Sequence, residues 1–123
     1  MTKPDIIKVI ETANWILRDG AKILSVRSHG RDRFYLPGGK IDPGETAHDA
    51  IMREINEELG VDLIPDSIRE LGTFAGQGHK QPDGAIVRMT CFVADYRGTL
   101  SPAREIAELR WLTPRERNLM APA

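Results

Sequence analysis

The sequence is short of cysteine, of long apolar runs and of any dominant charge. One cysteine, Cys91, stands among 123 residues, so no internal disulfide can form. A reducing compartment is the expected setting. Cys91 lies in the apolar run MTCFVADY, which predicts a buried, inert thiol. The opening MTKPDIIKVIETANWILRDG holds no apolar stretch long enough for a membrane span or a signal peptide. A cytoplasmic location without membrane attachment is therefore expected. The formal net charge of -1 excludes a global basic field of the kind that holds long nucleic acid. A small anionic ligand needs only a local site and stays open. His29, His48 and His79 are scattered without the spacing of a zinc site. Repeats, low-complexity tracts and interior linkers are absent from the sequence.

What is present describes an ordered chain. Hydrophobic residues make up 41% and charged residues 28%, values that separate it from disordered sequences. The length suits one domain, spanning residues 1–123.

Residues 7–17 (IKVIETANWIL) and 21–27 (AKILSVR) are β-branched and apolar. Arg18-Asp19-Gly20 separates them and predicts a hairpin joining the two. SHGRDR (28–33) reads as a loop, and Phe34-Tyr35-Leu36 as a short strand stopped by Pro37-Gly38-Gly39. Residues 68–74 predict a strand, 76–84 (GQGHKQPDG) a loop, and 85–96 (AIVRMTCFVADY) the strongest strand, with Met89 and Phe92 in the core. EIAELRWL (105–112) leads into a final helix. There Thr113 and Glu116 can form a capping box and Pro114 takes the first helical position. Strands flanking one long helix, with a C-terminal helix, predict an α/β fold with helices packed on a mixed sheet.

The long helix has marked ends. Thr46 suits an N-cap with Asp49 three residues on, and Gly60 suits a left-handed C-terminus. Ala50, Ile51, Ile55 and Leu59 supply the apolar face. Glu54, Glu57 and Glu58 fall at i, i+3 and i+4, so three carboxylates share another face. Arg53 is adjacent in sequence and is expected to project elsewhere, so the compensating charge should come from another source. A solvated acidic face is one reading. A hard divalent cation such as Mg²⁺, which prefers oxygen ligands and bridges to phosphate, is the other. Gly38 and Gly39 leave room for a ligand to approach the backbone.

Residues 39–61 carry a longer pattern. Gly39, Glu45, Arg53, Glu54, Ile55, Glu57, Glu58, Gly60 and Val61 meet every defined position of the 23-residue Nudix box. With residue frequencies of ~7% or less at the fixed positions, a chance match at one start point is about 10⁻⁸. The chain resembles the Nudix hydrolases. The resemblance implies an α/β/α sandwich around a mixed sheet. It also implies metal-dependent hydrolysis of a nucleoside diphosphate linked to another moiety, with Mg²⁺ or Mn²⁺ as cofactor and a nucleotide as the partner. Carried over by position, Glu54, Glu57 and Glu58 would bind metal, and the carbonyl of Gly38 or Gly39 would complete the shell. Glu45 and Arg53 would brace the loop against the helix. Glu54 would act as general base, or else a glutamate outside the motif. The candidate for that second role is Glu105, with Glu108 behind it. The alternative for both is a solvated edge strand. Dimers are common in such folds.

Around the motif, Arg27 and Arg33 flank the loop before LPGG and suit phosphate by their planar guanidinium groups. Phe34, Tyr35 and Trp111 can stack on a base, with core packing favoured for Phe34. His79 is a loop candidate and His48 a surface residue. The stretch GTFAGQG (72–78) lacks the proline that marks ADP-ribose specificity in this family, the tyrosine of the dinucleoside polyphosphate group and the array of the NADH group. These absences favour nucleoside triphosphates, including modified ones. ADP-ribose or nucleotide-sugar hydrolysis, and a non-catalytic nucleotide-binding module, are the alternatives.

Overall fold

A computed structural model describes residues 8–77 and 86–121. Chain order is β1 (Val9–Trp15), β2 (Arg18–Asp19), β3 (Lys22–Ser28), β4 (Gly38–Lys40), α1 (Ala47–Leu59), β5 (Asp62–Leu63), a 3₁₀ turn at Pro65–Ser67, β6 (Arg69–Gln77), β7 (Ile86–Val93), β8 (Tyr96–Arg97), β9 (Ile106–Leu112) and a 3₁₀ helix at Pro114–Leu119. A four-stranded sheet runs β4-β1-β7-β6 and a three-stranded sheet runs β2-β3-β9. β1 and β7 are parallel while the other pairs are antiparallel, so the larger sheet is mixed.

The core lies where α1 meets both sheets. Ala13 and Trp15 of β1, Leu24 and Val26 of β3, Phe92 of β7 and Ile106 of β9 close on Ile51, Ile55 and Leu59 of the helix. Successive side chains of a strand point to opposite faces. Ala13 and Trp15 therefore enter the core, while Ile10, Thr12 and Asn14 turn to the other face. There they line a cavity of about 310 Å³ with Val87 and Met89 of β7.

Several sequence expectations are corrected. The strands on either side of Arg18-Asp19-Gly20 do not form one hairpin. Only Arg18–Asp19 pairs back onto β3. β1 instead joins β4 and β7, because its alternating faces must meet the helix core and the cavity. The short strand expected at Phe34–Leu36 falls on Gly38–Lys40, and Phe34 and Tyr35 make isolated bridges. The strand expected at 85–96 ends at Val93 and resumes as β8. Met89 lines the cavity rather than the core, whereas Phe34 and Phe92 are buried as expected. The C-terminal helix is a 3₁₀ segment, begun by the Thr113–Glu116 capping box. Most of the 76–84 loop, His79 included, lies outside the described residues, while Gly76 and Gln77 close β6.

Candidate active site

The helix carries the site because its ends are fixed. Thr46 Oγ1 accepts the N–H of Asp49 at 3.0 Å, and Gly60 closes α1 in a left-handed conformation. The apolar stripe Ala50, Ile51, Ile55 and Leu59 is buried, which fixes the roll of the helix. That roll drives Glu58 inward to 2% exposure and leaves Glu54 half-buried beside it.

Two glycines make room for these carboxylates. Gly38 has φ +140°, and a Cβ there would lie 2.0 Å from the Ala13 carbonyl oxygen. A side chain would break the β1–β4 pairing. The Gly38 N–H then donates to Glu58 Oε1 at 2.8 Å. A Cβ at Gly39 would lie 2.6 Å from the Glu54 carboxyl carbon, so the carboxylate occupies the space that glycine leaves.

A third carboxylate arrives from far along the chain. Ser101 N–H and Ala103 N–H donate to the carbonyls of Leu59 and Glu58 at 3.0 and 2.9 Å, capping the helix end. Ile106 N–H closes a turn onto the Ala103 carbonyl, and inside it Arg104 has φ 53°. A non-glycine residue in that region is strained, and such strain persists only where surroundings hold it. The turn delivers Glu105: one oxygen each of Glu54, Glu58 and Glu105 lies within 4.8 Å of the others. Such an all-carboxylate oxygen set, beside a glycine cradle, fits a hard divalent cation.

Burial dominates the electrostatics. It pushes the Glu58 carboxyl up to about 8, against the lowering effect of the Gly38 N–H, and neighbouring carboxylates add to the rise. Burial also raises Glu54, offset by Arg53. Arg53 does compensate the cluster, contrary to expectation. Its guanidinium bonds Glu45 at 2.7 and 2.8 Å, Glu54 at 2.9 Å and Glu57 at 3.4 Å, and reaches Asp42 at 3.3 Å. Adjacency in sequence sets where the Arg53 stem leaves the helix, but the long stem lets the head fold back. The Arg53 hydrogen bonds hold the Glu45 carboxyl down to about 2. The loop from Asp42 to Glu45 is thereby clamped to the helix.

The other sequence candidates scatter. Glu57 rests on Arg53 rather than within the three-carboxylate group. Arg27 pairs with Glu108 at 3.2 Å and donates to the Arg31 carbonyl at 3.0 Å, bracing the loop that follows it. Arg33 lines the cavity, and its guanidinium donates to the Asn118 carbonyl. Trp111 packs against the core opposite Leu24 and is not among the cavity-lining residues. His48 is half-buried on the helix and His29 is exposed. Cys91 is buried, and burial pushes its thiol up. Sequence reasoning missed Thr12, Asn14, Ser28 and Arg31 on the cavity wall. A signal for the first two was there: Thr12 and Asn14 alternate with the apolar Ala13 and Trp15 along β1.

The NUDIX domain family model matches residues 9–122. The chain belongs to the Nudix family. It is thus a Nudix hydrolase, with the α/β fold of that family. It is 32% identical over 115 residues to a CTP pyrophosphohydrolase of Escherichia coli, covering 89% of this chain and 80% of that one. An 8-oxo-dGTP diphosphatase of Haemophilus influenzae is 41% identical over 59 residues, 44% of this chain and 43% of that protein. The solution structure of the E. coli ORF135 protein superposes with a TM-score of 0.68 at 28% identity, covering 89% of this chain and 77% of that one. Read on this Nudix hydrolase, the motif is a folding device as much as a ligand set. Gly39 admits Glu54, the Glu45–Arg53 pair clamps the loop, and Gly60 ends the helix where residues 101–103 dock.

Proposed function

We propose that this Nudix hydrolase is a Mg²⁺-dependent pyrophosphohydrolase. Its substrate would be a nucleoside triphosphate, ordinary or modified, cleaved to the monophosphate and pyrophosphate. The observation that carries the reading is the adjacency of two unlike sites. The carboxylates of Glu54, Glu58 and Glu105 converge within 4.8 Å, and Gly38, which bonds Glu58, also lines the 310 Å³ cavity. A ligand with a polyanionic end and an aromatic end matches that pairing. The names of the two relatives, a CTP pyrophosphohydrolase and an 8-oxo-dGTP diphosphatase, point to the same substrate class.

Glu54 and Glu58 would hold the cation, with Glu57, 30% exposed, joining from the rim. Bound there, Mg²⁺ would neutralise the diphosphate oxygens and make a water more acidic. Glu105 would take the proton of the attacking water. It sits within the cluster, whereas Glu54 is held by the Arg53 guanidinium and is the poorer acceptor. Arg33, on the cavity wall, would offer its guanidinium to the substrate, while Arg53 positions Glu54 and Glu57. The apolar Ile10, Val87 and Met89 would exclude water around the base.

The test is product analysis on a nucleotide panel with Mg²⁺ and with chelator, including ADP-ribose and a nucleotide sugar. Monophosphate and pyrophosphate from a triphosphate, abolished by chelator, are expected. Tight binding of a nucleotide with no turnover would make the protein a binding module, and turnover confined to ADP-ribose or the sugar nucleotide would reassign the substrate.

A further inference from the structure

A nucleotide is a linear ligand, running from base to sugar to phosphates. With its diphosphate at the carboxylates and its base in the cavity, whatever stands between the two meets the sugar. Two hydroxyls on the cavity wall are candidates for that contact. Ser28 ends β3, Tyr35 follows the next loop, and their side-chain oxygens are hydrogen-bonded to each other. Both residues line the cavity. The backbone ties Ser28 to the segment that carries Glu105. Ser28 pairs across the ladder with Ile106, the neighbour of Glu105, and the His29 N–H donates to the Glu105 carbonyl at 2.8 Å. Tyr35 is pinned by two backbone hydrogen bonds with Val26, each 2.9 Å. Burial pushes its phenol up, against the lowering effect of the Ser28 hydrogen bond and with the charges of Glu58 and Glu105 adding to the rise, so it remains a neutral donor.

The chemistry of the pair favours a particular ligand group. Each hydroxyl donates once and accepts through two lone pairs. Their mutual bond consumes one proton, which leaves one donor and several acceptor sites for a ligand. A phosphate oxygen only accepts, so it would leave those lone pairs facing negative charge. A sugar hydroxyl both donates and accepts and satisfies both sides.

We propose that the Ser28–Tyr35 hydroxyl pair binds a secondary hydroxyl of the substrate's sugar and sets which deoxy sugar the enzyme tolerates. The inference rests on the nucleotide reading above. It is tested by calorimetric Kd values for an α,β-methylene triphosphate in ribose, 2′-deoxy and 3′-deoxy forms. Wild type, Tyr35→Phe and Ser28→Ala are compared, beside turnover of the natural triphosphates. Wild type should bind one deoxy form about tenfold more weakly than the ribose form, and that form identifies the hydroxyl. Tyr35→Phe should weaken the ribose form by the same factor and leave that deoxy form unchanged. Ser28→Ala keeps the phenol and repeats the test should the phenylalanine disturb folding. Equal binding of all three forms by wild type overturns the proposal, as does uniform weakening of all three by the variants. If the binding pattern holds while no triphosphate is turned over, catalysis fails and the sugar contact stands. If no analogue binds, both readings fall.

Discussion

Glu58 hydrogen-bonds a backbone amide and is nevertheless held protonated at neutral pH, because 2% exposure outweighs one N–H donor. The sign of the pH dependence follows. The folded metal-free protein keeps this proton up to about pH 8, while the unfolded chain releases it near 4.5. Its contribution to stability is complete below the unfolded value and is lost as pH rises through the folded one. Urea midpoints of metal-free wild type should fall, relative to Glu58→Gln, between pH 5 and 8.5; parallel curves for the two proteins would contradict this. Because a cation must displace the same proton, Mg²⁺ affinity should climb over that window. The proton acceptor is separable from the ligands: Glu105→Gln should lower kcat by about 10²–10⁴-fold while leaving Mg²⁺ affinity near wild type. An unchanged rate would return the role to Glu54. At this scale the sequence was half legible. The motif named Glu54, Glu57 and Glu58, of which Glu57 rests on Arg53 outside the three-carboxylate group, and the family resemblance named Glu105. The partner of Glu54 was misread, because helical spacing predicts where a side chain leaves the backbone and says little about where a long, flexible one ends.

Element boundaries were legible wherever local chemistry sets them. Thr46 and Gly60 mark α1 because a cap satisfies groups that the helix itself leaves unpaired. Strand partners were not, since β1 chooses β4 and β7 over its neighbour in sequence. That choice depends on which face must be buried against α1, and no short stretch encodes it. The clamp between the Asp42–Glu45 loop and α1 belongs to this scale too. One guanidinium bonds Glu45, Glu54 and Glu57 at once, which an ammonium, a point charge on a flexible stem, cannot reproduce. Arg53→Lys should therefore lower kcat/KM by about 10- to 100-fold. Tm should shift far less than that loss would suggest. A variant with unaltered kinetics would show that the clamp does not orient the carboxylates.

For the molecule as a whole, the site is a concentration of negative charge that folding must hold together. A cation binding only the native state should relieve it. Saturating Mg²⁺ at about 100 times its Kd adds ~2.7 kcal/mol, visible as a rise of several degrees in Tm that chelator reverses. No rise would mean that the carboxylates hold no cation. The arrangement also has a consequence in time. The sequence motif ends at Val61, while Glu105 is placed by residues 101–103 gripping the last carbonyls of α1. β1 can pair with β4 early, but its other edge is filled only by β7, more than seventy positions downstream. A ribosome that has released every residue of the signature has therefore not yet made the third carboxylate of the cluster. The three-carboxylate cluster is complete only once the final quarter emerges, and a transcript cut short before that point yields the recognisable signature without Glu105.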